Sequence, residues 1–135
     1  MTSITSPKRA EDSILIVDAD VLSRHAIAEY LRHCGYPVVE AANTDEALIA
    51  VQDLSLAIDV IVCDIGAIGA KSGFELASWV QANRPELEVR LAGTLDKIVS
   101  TATELCENGP HLKRPYEPEA VVDYIKRLRA AVARA

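Results

Sequence analysis

The chain has 135 residues, half of them hydrophobic, and its 14 Lys and Arg stand against 20 Asp and Glu, which gives a formal net charge of −6. This length fits one domain with a single core, and the negative charge without a clustered basic stripe argues against binding to nucleic acid. No apolar run approaches the ~20 residues of a membrane span, and the start lacks the hydrophobic stretch of a signal peptide, so we expect a cytoplasmic protein without a membrane partner.

The three cysteines, Cys34, Cys63 and Cys106, are odd in number, far apart and set in apolar surroundings. Cysteines of this kind are typical of small buried thiols in a reducing compartment. A disulfide or a metal site is the less favoured alternative. The cysteines therefore agree with a cytoplasmic location.

Polar residues without periodicity predict a flexible N-terminal tail over residues 1–13, ahead of one domain over residues 14–134. Short apolar runs predict five strands, at residues 14–17, 37–41, 58–64, 88–92 and 111–112. Apolar residues at helical spacing follow each run, and Gly35, Pro85 and Gly109 supply helix stops. The last helix begins around Pro118 and ends in arginines.

Strands that alternate with helices require right-handed crossovers and a mainly parallel sheet with helices on both faces. Five strands fit the flavodoxin-like doubly wound α/β fold, (βα)5, with a five-stranded parallel sheet in the order 2-1-3-4-5. In this order the first and third strands are neighbours, and they lead into Asp18 and Asp64. The two carboxylates should therefore face each other across a crevice at one edge of the sheet.

A pair of carboxylates at neighbouring strand ends suits Mg²⁺, which prefers oxygen ligands and water. The alternative for either aspartate alone is a cap on the helix that follows it. Beyond the fifth strand, Lys113 and Arg114 would bring a cation to the same edge, where it could contact a phosphoryl group held at Asp64. The alternative there is a solvated basic pair before a turn.

Five segments carry a family resemblance by their order and spacing: ILIVD at 14–18, EAANTDEAL at 40–48, DVIVCDI at 59–65, GFEL at 73–76 and RPY at 114–116. Over about residues 13–132 the chain resembles a response-regulator receiver domain of two-component signalling. The resemblance implies that Asp64 accepts a phosphoryl group from a histidine kinase or a histidine phosphotransfer protein. It also implies that Mg²⁺ is held by Asp18, Asp64 and the backbone of Gly66, and that the chain is no enzyme beyond assisting its own aspartyl phosphorylation and dephosphorylation.

The chain departs from the family at the metal site. Receivers usually have two successive acids after the first strand, but here Asp18 is followed by Ala19. Asp20 lies one residue further on and is a candidate substitute, although the start of a helix would aim it elsewhere. Because one ligand is missing, we expect Mg²⁺ to bind weakly.

The groups expected around the phosphoryl group also differ. The family's switch hydroxyl aligns with Gly93, which leaves Thr94, one residue late, as the candidate replacement. The family's lysine aligns with Arg114, whose planar guanidinium can hold a carboxylate at two points. Lys113 would point the other way along a strand, so its contact with the site is doubtful.

Two functions follow from these residues. The first is a stand-alone receiver that is phosphorylated on Asp64 and signals by docking to an output protein that the sequence does not identify, because the chain ends shortly after its last helical pattern. The second is a pseudo-receiver, a protein-interaction module that acts without phosphorylation, which Ala19, Gly93 and Arg114 favour. A third class, a flavodoxin-like cofactor binder or a hydrolase, would need a Gly-rich phosphate loop or a nucleophile with its base. The sequence shows neither, and Cys63 is expected as a buried thiol.

Overall fold

The structure, a computed structural model, describes residues 13–108 and 117–134. The described strands are β1 (Ser13–Val17), β2 (Val38–Ala41), β3 (Ile58–Asp64) and β4 (Glu88–Ala92). The helices are α1 (Val21–His33), α2 (Thr44–Gln52), α3 (Gly73–Asn83), α4 (Leu95–Glu107) and α5 (Pro118–Arg134), with a short 3-10 helix, Leu54–Leu56, after α2. None of the described helices combines the length and the apolar character needed to cross a bilayer.

The strands form one parallel sheet in the order β2-β1-β3-β4. This order confirms the doubly wound α/β fold and the first four positions of the predicted 2-1-3-4-5 arrangement. The described residues therefore contain four strands instead of the predicted five, and the fifth, at residues 111–112, lies outside them together with Lys113 and Arg114. Residues 1–12 of the predicted tail also lie outside, and β1 already begins at Ser13, which donates a backbone hydrogen bond to Asp59.

Two hydrophobic layers cover the sheet, one on each face. Because side chains alternate along a strand, β1 sends Ile14 and Ile16 into one layer and Leu15 and Val17 into the other. The first layer is completed by α1, α4 and α5, and the second by α2 and α3. All five residues of β1 are buried, which explains why this strand has a continuous apolar sequence.

The caps of α1 and α3 show whether Asp18 and Asp64 serve only as helix caps. Helix α1 is capped by Asp20, whose carboxylate accepts the Leu22 N–H, and α3 is capped by Ser72 in a capping box with Glu75. Neither Asp18 nor Asp64 is the cap of the helix that follows it. The alternative that these aspartates serve only as helix caps is therefore wrong.

The prediction for the cysteines was wrong for two of the three. Cys34, which caps the C-terminus of α1, is joined by a disulfide to Cys106 in the last turn of α4, with their Cα atoms 5.3 Å apart. Both residues are fully buried in the layer that α1 and α4 share, and Cys63 is the free cysteine. The 72-residue separation hid the pairing, because only the packing of the two helices brings their ends together.

Candidate functional site

The structure places Asp18 and Asp64 side by side at the carboxyl edge of the sheet. Val17 of β1 pairs with Cys63 of β3 in parallel register, so the next residue along each strand is an aspartate. Asp18 is 5% exposed, and its Oδ1 accepts the Asp20 backbone N–H at 2.9 Å. This is the facing pair of carboxylates that the strand order predicts.

The environment of Asp18 favours its neutral form. Burial raises the pKa of this carboxyl, the hydrogen bond from the Asp20 N–H opposes the rise, and the charge of Asp64 adds to it. The raised pKa therefore reflects first the burial of the Asp18 carboxyl and then the nearby negative charges of Asp64 and Asp20. A cation placed between Asp18 and Asp64 would remove this repulsion.

Asp64 ends β3 and is half-buried, so its carboxylate remains accessible from solvent. Its Oδ1 accepts the Gly66 N–H at 3.3 Å, and a Cβ atom on Gly66 would lie 3.6 Å from Oδ2. The backbone of Gly66 therefore lies beside the carboxylate, and its role as a metal contact stays a prediction.

Asp20, the candidate substitute ligand, is held by side chains of α1 and α5. Its Oδ2 accepts hydrogen bonds from the Ser23 hydroxyl at 2.7 Å and from Arg129 Nε at 2.8 Å. Burial alone would raise the pKa of Asp20, but the hydrogen bonds from Ser23 and Arg129 and the charge of Arg129 outweigh it, so the pKa is lowered. The Asp20 carboxylate is thus ionised and already neutralised by α5.

The donor set fits a weakly held Mg²⁺. Among the described residues no group of three His, Cys, Asp or Glu could hold a metal ion, and the carboxylates available at the strand ends are Asp18 and Asp64. Mg²⁺ is often held by one or two carboxylates while it keeps several waters. The pair can therefore bind this ion, with less negative charge than three acids would supply.

After the end of β4, position 93 is a glycine and the next hydroxyl, on Thr94, caps a helix. Thr94 is exposed, and its Oγ1 accepts the Lys97 N–H at 3.2 Å as the N-cap of α4. A Cβ atom on Gly93 would lie 3.0 Å from Cδ1 of Ile65, so the Ile65 side chain takes the space next to position 93. The role of Thr94 as the switch hydroxyl stays a prediction, and it competes with helix capping.

Cys63 lies directly before Asp64 and is a buried thiol, as predicted. Its Sγ donates to the backbone oxygen of Asp64 at 3.3 Å. Burial, with the charges of Asp64 and Asp18, raises the pKa of Cys63 to about 12. A thiol with this pKa carries almost no thiolate at neutral pH, which excludes it as a nucleophile.

The sequence matches the family of the response regulator receiver domain over residues 14–126. The chain belongs to this family. The receiver is 27% identical over 122 residues to the response regulator RR06 of Streptococcus pneumoniae, which covers 90% of this chain and 54% of that protein. It is 32% identical over 94 residues to a cyclic di-GMP phosphodiesterase of Thermotoga maritima, covering 68% of this chain and 24% of the relative. The receiver thus spans about a quarter of the Thermotoga protein and about half of RR06.

Solved receivers share the fold of this one. The chemotaxis response regulator CheY4 of Vibrio cholerae superposes with a TM-score of 0.57 at 24% identity, over 87% of this chain and 98% of that one. A CheY-like receiver domain protein from Methanospirillum hungatei gives 0.56 at 23% identity, over 86% and 91%. The likeness to these structures confirms the CheY-like arrangement of the receiver.

Sequence reasoning missed two residues of this receiver site. Arg129 was expected only as a cation near the C-terminus of the last helix, and the 109 residues between it and Asp20 carry no signal of their contact. Ile65 directly follows the predicted acceptor, but its position over Gly93 depends on the pairing of β3 with β4. Arg114 and Lys113, the predicted phosphoryl contacts, lie outside the described residues.

Proposed function

We propose that this receiver accepts a phosphoryl group on Asp64 from a histidine kinase or a histidine phosphotransfer protein, and that it signals by docking to an output protein. The observation that supports this most is the position of Asp64, an accessible carboxylate at the end of β3 beside Asp18. Membership of the receiver family gives this position its meaning. Neither nucleic acid nor membrane is part of the proposal, and the chain acts as an enzyme only on its own aspartate.

The acceptor step needs little from the protein except position and charge. An oxygen of Asp64 forms a bond to phosphorus while the bond from phosphorus to the donor histidine nitrogen breaks, and that nitrogen keeps the electron pair. The Gly66 N–H donates to Oδ1, which orients the carboxylate and leaves Oδ2 for attack. When bound by Asp18 and Asp64, Mg²⁺ would neutralise charge on the phosphoryl oxygens. Arg114 is the expected protein cation at the same group.

The start of α4 is the proposed route from Asp64 to the docking surface. The Ile65 N–H donates to the Ala92 carbonyl at 2.9 Å, so the residue after the acceptor is tied to the end of β4. Its side chain lies over Gly93, directly before the Thr94 cap of α4. A phosphoryl group on Asp64 that displaces Ile65 would therefore act on the first turn of α4.

We place the receiver in the cytoplasm, where two-component phosphotransfer would reach it. Thiols are kept reduced in that compartment. The bond between Cys34 and Cys106 would then form only under oxidising conditions.

Labelling with acetyl phosphate and Mg²⁺, followed by intact-mass and peptide mass spectrometry, tests the proposal. The parent should gain one phosphoryl group on Asp64, and Asp64→Asn should gain none. Asp53→Asn, a change of an exposed aspartate that caps the 3-10 helix, is the matched control and should be labelled like the parent. An unlabelled parent that is folded would contradict the proposal and leave the chain as a phosphorylation-independent interaction module.

A further inference from the structure

The guanidinium of Arg129, on the last helix, binds the carboxylate of Asp20, which lies two residues after Asp18 of the candidate metal pair. Arg129 of α5 contacts Asp20 Oδ2 through Nε at 2.8 Å and through Nη2 at 2.5 Å. Nη2 also donates to the Ser23 hydroxyl at 2.5 Å, and that hydroxyl donates to Asp20. The three side chains form a closed set of contacts between the start of α1 and α5.

Asp20 is close enough to the site to take part in it. Its backbone N–H donates to Asp18 Oδ1 at 2.9 Å, so the Asp20 backbone is fixed against one of the two metal-pair carboxylates. The Asp20 side chain is held by Arg129 and Ser23 at Oδ2 and by the Leu22 N–H at Oδ1, so Arg129 is the partner from outside α1 that fixes its direction. Since a carboxylate paired with a guanidinium is a poor ligand for a divalent cation, Arg129 withholds a third acid.

We propose that Arg129 is a positioning residue that competes with a divalent cation for Asp20. In the described structure Arg129 holds Asp20, and the metal pair consists of Asp18 and Asp64. When Asp20 is released, its carboxylate becomes available to the cation as a third acid or through a bound water. The inference rests on the proposed phosphoacceptor site.

The exposure of the pair makes this competition reversible. The side chains of Arg129 and Asp20 are 44% and 35% exposed, so water and salt screen the contact and it is not a buried, permanent ion pair. Ser23, in contrast, is fully buried and stays in place as a partner for either side chain. The contact is therefore weak enough for a cation at Asp18 and Asp64 to displace it.

Competition of this kind links the metal site to α5. If a cation recruits Asp20, Arg129 loses its charged partner. The same coupling requires that a protein which binds Arg129 away from Asp20 raises the affinity of the site for the cation. The C-terminal half of α5 would then respond, through the side chain of Arg129, to whether a cation is bound at Asp18 and Asp64. This response would be independent of the route through Ile65 and α4.

Mg²⁺ titration of the full chain, followed by calorimetry and by amide shifts, tests the inference with four variants. Arg129→Gln should tighten Mg²⁺ binding by about fivefold, the change that corresponds to the upper range for an exposed ion pair. Asp20→Asn should leave it within about twofold of the parent, and it keeps the helix cap because Asn caps as well as Asp. Arg127→Gln removes the same charge from the same helix away from Asp20 and should match the parent.

The double variant Arg129→Gln with Asp20→Asn shows whether the gain in affinity depends on Asp20, while Arg127→Gln measures the effect of losing a positive charge on α5. The Mg²⁺ affinity of the double variant should return to that of the parent, because the recruited acid is gone. A gain that survives in the double variant, or no gain in Arg129→Gln, would overturn the inference. Acetyl-phosphate labelling of the parent is scored separately, so a chain that shows the expected Mg²⁺ pattern without labelling loses the proposed function but keeps the competition.

Discussion

The side chain of Ile65 lies over the backbone of Gly93, where a Cβ atom would meet Cδ1 of Ile65 at 3.0 Å. This contact joins the residue after the proposed phosphoacceptor to the residue before the cap of α4. It also means that the first carbon of any side chain at position 93 would meet a hydrocarbon group. A substitution that puts a hydroxyl at position 93 therefore also needs the side chain of Ile65 to move.

The first prediction concerns this space. Gly93→Thr should lower the free energy of unfolding by up to about 1 kcal/mol, because the new side chain meets Cδ1 of Ile65 and this exposed side chain has to turn aside. The double variant with Ile65→Ala should recover most of this loss, as measured by urea denaturation. Ile49→Ala, a change of an exposed isoleucine, is the control that should not rescue Gly93→Thr. Equal stability of Gly93→Thr and the parent would show that Ile65 moves freely.

The second prediction concerns the missing acid. Ala19 is exposed and directly follows Asp18, so Ala19→Asp should supply a third carboxylate and tighten Mg²⁺ binding. Fast labelling of Asp64 by acetyl phosphate should still require Arg114→Lys and Gly93→Thr in addition. Mg²⁺ titration of Trp79 fluorescence and mass spectrometry measure the two effects separately. Tight binding by the unaltered chain would contradict the expectation of a weak site.

The third prediction follows from the raised pKa of Asp18. Because the folded state binds the proton more tightly than the unfolded state, ionisation of Asp18 costs stability as the pH rises from the ordinary value of 3.8 through the raised pKa. Asp18→Asn, which keeps an oxygen to accept the Asp20 N–H, should therefore raise the free energy of unfolding at pH 7. The gain should disappear below about pH 4 in urea denaturation across this range. A gain that is independent of pH would exclude the charge of Asp18 as its cause.

The fourth prediction concerns the disulfide. Removing the bond between Cys34 and Cys106 should lower the free energy of unfolding by about 4 kcal/mol, on the chain-entropy account of a loop of this length. Thermal melts with and without a dithiol reductant measure the loss. The same reductant should have no effect on the double variant Cys34→Ala with Cys106→Ala. Identical melts of the parent in both conditions would show that the thiols are not bonded in solution.

The sequence was sufficient for the parts of the fold that depend on local pattern. The apolar runs that became β1 and β3 each lead into an aspartate, and the general rule for doubly wound sheets then placed Asp18 beside Asp64. Helix ends followed from capping residues and from Gly35, which has the positive φ of 102° that such stops require. These features are set by residues close to one another in the chain.

Contacts between distant residues could not be predicted in this way. Asp20 was expected to aim away from the metal pair because a helix begins there, but its partner Arg129 lies on the last helix, and several arginines there are equivalent by pattern. Cys34 and Cys106 were likewise indistinguishable from buried thiols until the packing of α1 against α4 was known. Side-chain partners across the core depend on helix rotation and depth, which periodicity does not fix.

The disulfide attaches to the end of α4 that lies farthest from the acceptor. Thr94 begins this helix near Asp64, and Cys106 lies in its last turn, about 20 Å away for a helix of 13 residues. When the bond is formed, it ties Cys106 to α1 and opposes sliding of α4 along its axis, so that tilting about the tethered end is the easier movement. A small push at the first turn would then be expressed as a tilt, largest at the Thr94 end and close to zero at the cross-link. Reduction of the disulfide would remove this tether and its restraint on movement of α4 along its axis.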